Sequence, residues 1–177
     1  MTTEHFIIDA LQPTDANLLY QFLKSNNERL KRYFPKTLSS NETVENAVEY
    51  IATKNKEIEE KTNFTFAIRD KNTQAISGLI ILKNLDWDKK QGEFAYCIGS
   101  GIEGKGITSF AVKKMIHFAF GKLQLKTLQI ICHKTNLGSS KVAINNGFVW
   151  KKTLPNEFTP TDEKPLDMEL YELTNER

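Results

Sequence analysis

The chain is 177 residues long, 40% hydrophobic and 26% charged, with nine Gly, five Pro and a formal net charge of +2. That length and apolar share suit one domain with a core, and they exclude a disordered, collagen-like or linker-like chain. No apolar run approaches the roughly 18 residues of a membrane span, and Met1-Thr2-Thr3-Glu4-His5 has neither the basic nor the apolar region of a signal peptide, so a cytoplasmic setting is expected.

In chain order, Phe6-Ile7-Ile8 reads as a short strand. Pro13-Thr14-Asp15 opens a helix whose Leu18, Leu19, Phe22 and Leu23 recur at helical spacing. Leu30, Tyr33, Phe34 and Pro35 make an aromatic patch leading into a loop. Ser40-Asn41-Glu42-Thr43 starts a second helix, through about Glu60, with Val44, Ala47, Val48 and Ile51 as its apolar face. Residues 63–70 alternate, with Phe64, Phe66 and Ile68 on one side. A turn at 70–73, an apolar strand at 75–85, a loop at 86–90 and a strand at 93–99 complete an expected antiparallel meander. A glycine-rich stretch then leads into a helix over 107–120, with Ile107, Phe110, Ala111, Met115, Phe118 and Ala119 facing inward. Residues 126–132 read as a strand, 136–146 as a helix ended by Gly147, and 148–154 as a strand. Residues 167–173, with Met168 and Leu170, are expected to close the sheet. The order β-α-α-β-β-β-α-β-α-β-β predicts one α/β or α+β domain over 1–177, with a mixed sheet of about seven strands and about four helices.

Charge is unevenly distributed. Between Gly104 and Asn156 there is no Asp or Glu, yet the stretch holds nine lysines, which leaves the rest of the chain at −7. Such a tract points to an anionic partner, either nucleic acid or a phosphorylated cofactor, unless acids from elsewhere in the fold pair with it.

The glycine stretch fits three signatures. Gly99, Gly101 and Gly104 match G-x-G-x-x-G, but three strands precede the motif and the next strand has no acid for a ribose. Gly99 through Lys105 reads as most of a P-loop, but Gly106 stands where magnesium needs Ser or Thr. The third is x-x-Gly-x-Gly at Gly104-Lys105-Gly106, followed by Ile107 and Thr108. This resembles the pyrophosphate loop of the GNAT acetyltransferases, with Gly101 where the family has Gln or Arg. Asn136-Leu137-Gly138-Ser139, followed after seven residues by Gly147-Phe148, resembles the segment after the fifth strand in Rim-type ribosomal-protein N-acetyltransferases. The stretches 19–26 and 91–98, with Leu30 and Phe34-Pro35, resemble that family's first helix, acceptor loop and fourth strand.

The resemblance implies a GNAT fold, acetyl-CoA as co-substrate and no metal. It implies transfer to a primary amine, foremost the N-terminal α-amine of a ribosomal protein. Small-molecule amines (a polyamine, amino acid or antibiotic) remain an alternative acceptor, and a non-catalytic acyl-CoA-binding module is the rival from another class. A monomer or homodimer, with no membrane and no direct nucleic-acid contact, is expected. Gly101, Gly104, Lys105, Gly106, Ile107 and Thr108 are the expected pyrophosphate site, and Ile98 and Gly99 are expected to pair with pantetheine like an added strand. Asn136 and Ser139 would face the thiol end.

The reaction needs a base for the amine, and Glu157, the first acid after the lysine tract, is the first candidate. Its alternative is a solvated loop carboxylate. Glu93 is the second, or else a sheet-ordering carboxylate paired with a lysine. Ser139 is the candidate proton donor to the thiolate, or a first-turn helix cap. Cys132 is a further candidate, or a small buried hydrophobe. His133 reads as structural or exposed, and His5 and His117 show no metal-ligand spacing. Tyr33, Phe34 and Trp87 either line the acceptor pocket or belong to the core.

Overall fold

The computed structural model describes residues 3–175. The helices are α1 (Ala16–Ser25), α2 (Asn27–Leu30), α3 (Pro35–Ser39), α4 (Val44–Glu59), α5 (Ile107–Gly121) and α6 (Leu137–Asn145). The strands are β1 (Phe6–Ala10), β2 (Phe64–Asp70), β3 (Ile76–Asp86), β4 (Gln91–Ile98), β5 (Thr127–His133), β6 (Val149–Phe158) and β7 (Leu166–Thr174). They form a seven-stranded mixed sheet in the order β1-β2-β3-β4-β5-β7-β6. The chain divides into two compact units: residues up to Ile81 together with Tyr96–Ile107, and Leu82–Ala95 together with the residues from Thr108 onward. β3 and β4 contribute a segment to each.

In the first unit, β1 lies antiparallel to β2, from Phe6 opposite Asp70 to Ala10 opposite Phe66. The core gathers Leu19, Phe22 and Leu23 of α1, Ala47, Tyr50 and Ile51 of α4, and Ala67, Ile76, Leu79 and Cys97 of the strands. Two expected core residues point outward: Leu18 is 37% and Val48 49% exposed. A helix turns about 100° per residue, so Leu18 cannot share the inward stripe with Leu19 and Leu23, nor Val48 with Ala47 and Ile51. Tyr50 takes the inward place that Val48 leaves. The helix expected from Ser40 begins at Val44, because Thr43 caps it by accepting the Asn46 N–H at 3.2 Å. The expected loop after Leu30 carries α3, with Pro35 at its start. On β2, Thr65, Ala67 and Arg69 are as buried as Phe64 and Ile68, so both faces of the strand are covered.

That second face contains an ionic cluster. Arg69 is 3% exposed and donates through both Nη atoms to Asp15, at 2.6 and 3.0 Å. Its Nε reaches Asp9 at 3.2 Å, and Nη1 also donates to the Gln74 carbonyl at 3.0 Å. Asp15 Oδ2 accepts the Gln12 N–H at 2.7 Å, so β1, the start of α1 and the β2–β3 turn are joined at one guanidinium. With Asp15 beside it, the guanidinium is held above its ordinary pKa.

In the second unit, β4 and β5 share a short parallel ladder, from Gln91 opposite Thr127 to Phe94 opposite Ile130. β5 pairs antiparallel with β7 along its whole length, and β7 pairs antiparallel with β6. β7 therefore lies inside the sheet rather than closing it, and β6 is the edge strand. The strand expected to stop at Leu154 runs on to Phe158. A register shift between Leu154 and Phe158 carries it past Pro155 and Asn156, a place where an edge strand tolerates proline. On α5, Val112 is buried while Phe110 and Phe118 are only partly so. Phe94 and Phe148 meet edge to face with ring centroids 6.4 Å apart. Among the described residues no helix is long and apolar enough to cross a membrane.

Removing one partner of a buried ion pair leaves an uncompensated charge. Asp15→Ala should lower the unfolding free energy in urea by about 3–5 kcal/mol, whereas the exposed Val48→Ala should change it by less than about 0.5 kcal/mol.

Candidate functional site

The turn after β4 belongs to the first unit. The Gly99 N–H donates to the Ser77 carbonyl at 2.8 Å, and the Ser100 N–H donates to Asn26 Oδ1 at 2.9 Å. Beyond these, among the described residues, the N–H groups of Gly101 through Gly106 donate to no other protein group. They are followed by the first-turn N–H groups of α5, which no helix can pair internally. Gly101, Gly104 and Gly106 have φ of +83°, +70° and +75°, a region that strains any residue with a Cβ. No protein atom lies within 4 Å of where a Cβ would stand on Gly104, so backbone conformation rather than crowding selects glycine. Lys105 Nζ donates to the Gly101 carbonyl at 2.8 Å, across the turn.

Ile98 and Gly99 divide their directions. Gly99 turns its N–H towards β3, so by the alternation of a strand Ile98 directs its N–H and carbonyl the other way. Of the two residues expected to pair with pantetheine, only Ile98 directs its backbone groups away from β3, and its carbonyl has Arg29 Nη1 at 3.5 Å.

The second unit holds the β5–α6 corner. Asn136 is the N-cap of α6 and accepts the Ser139 N–H at 3.2 Å. The Ser139 N–H is therefore capped by Asn136. Cys132 is 3% exposed, and its Sγ lies 3.6 Å from Ser140 Oγ, which also donates to the Asn136 carbonyl at 3.3 Å. Asn146 ties the end of α6 to Ser109 in the first turns of α5, at 2.9 Å. Cys132, Asn136 and Ser139 thus lie along one corner.

The two carboxylates differ. Glu93 is 8% exposed and accepts from Lys83 Nζ at 2.9 Å and Asn84 Nδ2 at 2.7 Å, an arrangement that ties β4 to the end of β3. Glu157 is exposed and stands on β6 rather than in a loop. His133 Nδ1 is engaged with Thr135 Oγ1 at 2.7 Å. Phe34 packs against the first unit's core, Arg32 lies over the Tyr33 ring, and Trp87 is 41% exposed on the β3–β4 turn of the second unit.

The nine lysines of the acid-free tract are Lys105, Lys113, Lys114, Lys122, Lys126, Lys134, Lys141, Lys151 and Lys152, and all are exposed. Among the described residues none of them forms an ion pair, so the tract's charge is not cancelled by acids from elsewhere. Also among the described residues, no group of three or more His, Cys, Asp or Glu is arranged to hold a metal.

Asn26 and Arg29 touch this turn and are absent from the residues expected at the site. Both lie more than 70 positions away in sequence, so no local motif could have shown them.

A glycine turn with open N–H groups, set between a strand and a helix in a mixed seven-stranded sheet, is an arrangement suited to receiving an anion. The family model for the acetyltransferase (GNAT) domain matches residues 5–149, and the chain belongs to that family of acyltransferases. Among curated relatives, a Bacillus subtilis (strain 168) protein provisionally named ribosomal N-acetyltransferase YdaF is 29% identical over 148 residues, covering 82% of this chain and 79% of that protein. Among solved structures, the ribosomal-protein-S5-alanine acetyltransferase of Vibrio fischeri superposes with a TM-score of 0.90 at 22% identity, covering 97% of this chain and 94% of that one. The microcin C7 self-immunity acetyltransferase MccE, solved with acetyl-CoA and AMP, gives 0.85 at 20% identity, covering 97% and 93%. At these identities the two structures establish the fold.

Burial pushes the Cys97 thiol up to about 12, and Cys132 is enclosed at 3% exposure. At pH 8 the folded protein should therefore react slowly with Ellman's reagent at both positions. The same titration in guanidinium should release two thiols at once. Fast labelling of the native chain would contradict the enclosure.

Proposed function

We propose that this chain transfers the acetyl group of acetyl-CoA to the N-terminal α-amine of a protein, a ribosomal protein foremost, by direct attack. The whole chain would act as one catalytic domain, since the family match runs across both compact units. The observation that carries the reading is the run of open N–H groups from Gly101 to Gly106 leading into α5. Such a run suits a pyrophosphate, and the unpaired lysines of the tract suit the remaining phosphate charge of coenzyme A. The co-substrate is further supported by MccE, a relative in fold whose structure contains acetyl-CoA. The protein acceptor is supported by the names of YdaF and the Vibrio enzyme.

Gly101, Gly104, Gly106, Ile107 and Thr108 would hold the pyrophosphate through backbone donors, with Lys105 adding charge. Ile98 would accept and donate to the pantetheine amides as an edge strand does. Asn136 fixes the first turn of α6, and Ser139 there would give a proton to the departing thiolate. The amine must lose a proton before it attacks the thioester carbonyl. An α-amine, with a pKa near 8, needs only a modest base, against roughly 10.4 for a lysine.

Glu157 is favoured over Glu93 for that base. Glu93 is already engaged by Lys83 and Asn84, whereas Glu157 is exposed to an incoming ammonium. Tyr33, Phe34 and Trp87 are proposed to border the acceptor. Cys132, buried against Ser140, is proposed to shape the thiol end without reacting.

Glu157→Gln should cut kcat for an N-terminal peptide by about 10²-fold or more, with acetyl-CoA affinity unchanged in calorimetry. An unaltered rate would remove Glu157 from the mechanism. Gly104→Val should keep the fold by circular dichroism and lose at least about tenfold in coenzyme A affinity, because φ of +70° excludes a branched residue. A panel of N-terminal peptides against spermidine and free amino acids tests the acceptor class. Preference for the small amines would overturn it.

A further inference from the structure

The turn that is proposed to bind a pyrophosphate carries an acid. Glu103 lies between Gly101 and Gly104, and an uncompensated carboxylate there would oppose any phosphate brought to the same backbone. Arg29 of α2 meets it. Its Nη2 is paired with Glu103 Oε1, and its Nη1 lies 3.5 Å from the Ile98 carbonyl, so one guanidinium reaches both the strand end and the middle of the turn. A planar fork can serve two such acceptors, which the single ammonium of a lysine does less well.

The helix that supplies Arg29 is itself fixed. Asn26, 6% exposed, donates through Nδ2 to the Phe22 carbonyl at 2.8 Å and accepts the Ser100 N–H. The Arg29 N–H in turn donates to the Asn26 carbonyl at 3.1 Å. The cation is therefore delivered by an element anchored to the turn it neutralises. Arg29 and Glu103 remain 39% and 55% exposed, so their pairing adds little to stability. Its effect falls on the charge and shape of the turn.

We infer that Arg29 is a positioning residue for the cofactor turn, cancelling the charge of Glu103 and holding it aside so that the N–H groups of Gly101 through Gly106 present a net positive face. The inference rests on the proposed reading of that turn as the pyrophosphate site. It makes a demand that a purely structural ion pair does not. Losing Arg29 should harm cofactor binding only while Glu103 is charged, so a second substitution at Glu103 should repair the first.

The test is calorimetric titration of the full chain with coenzyme A, for the wild type, Arg29→Gln, Glu103→Gln and the double variant, with melting temperatures to establish that each is folded. Arg29→Gln should weaken coenzyme A by about threefold to fivefold, the scale of an exposed charge interaction. Glu103→Gln should bind as well as the wild type or better, and the double variant should return to the wild-type affinity. With saturating acetyl-CoA, kcat should be unchanged in Arg29→Gln. An Arg29→Gln chain that binds normally, or a double variant as weak as Arg29→Gln alone, would overturn the inference while leaving the proposed function intact. A folded wild type that fails to bind coenzyme A would remove both.

Discussion

A turn whose N–H groups make no bond within the protein cannot use them to fold itself. The stretch Gly101 through Gly106 is in that position, and its conformation has to be imposed from outside. Ser77 takes the last N–H on the β3 side, Asn26 takes the next, and Arg29 holds the side chain of Glu103. Lys105 contributes one bond from within, to Gly101. Glycine at three positions of positive φ removes the strain that would otherwise oppose this shape. The first unit thus presents a surface of backbone N–H groups, and the side chains around it hold that backbone open.

The same unit carries a second constraint, a buried charge. Arg69 joins β1 and the entry to α1, neighbours in sequence, to the β2–β3 turn more than fifty residues further on. Apolar packing alone would bury Leu19, Phe22 and Leu23 against many arrangements of those segments. An enclosed guanidinium with fixed acceptor directions allows few. Direction, more than net energy, is what such a cluster adds to a hydrophobic core.

Local patterns made much of this molecule legible. The apolar periodicity located the four long helices, the alternation located the seven strands, and the glycine turn together with Asn136-Leu137-Gly138-Ser139 pointed to the family. Three features lay beyond such patterns. Leu18 and Val48 have the hydrophobicity of core residues, and only the phase of the helix, set by tertiary packing, turns them outward. The pairing of β7 between β5 and β6 depends on which partners the edges find, which alternation within β7 does not encode. Pro155 and Asn156 look like the end of a strand, and the bulge that carries β6 past them to Glu157 is a property of the pair, not of either sequence. The contacts of Asn26 and Arg29 with the glycine turn are of the same kind, since they depend on chain segments meeting after a long excursion.

The tract from Gly104 to Asn156 has a further property as a titrating object. It contains nine lysines, two histidines and no carboxylate. It holds no carboxylate whose protonation could change its charge as pH falls. Most basic surfaces are tuned by interspersed acids that protonate as pH falls, so their field changes in steps. Here no such acid lies within the tract. An anion brought to this tract would meet positive charge with no carboxylate interspersed among it.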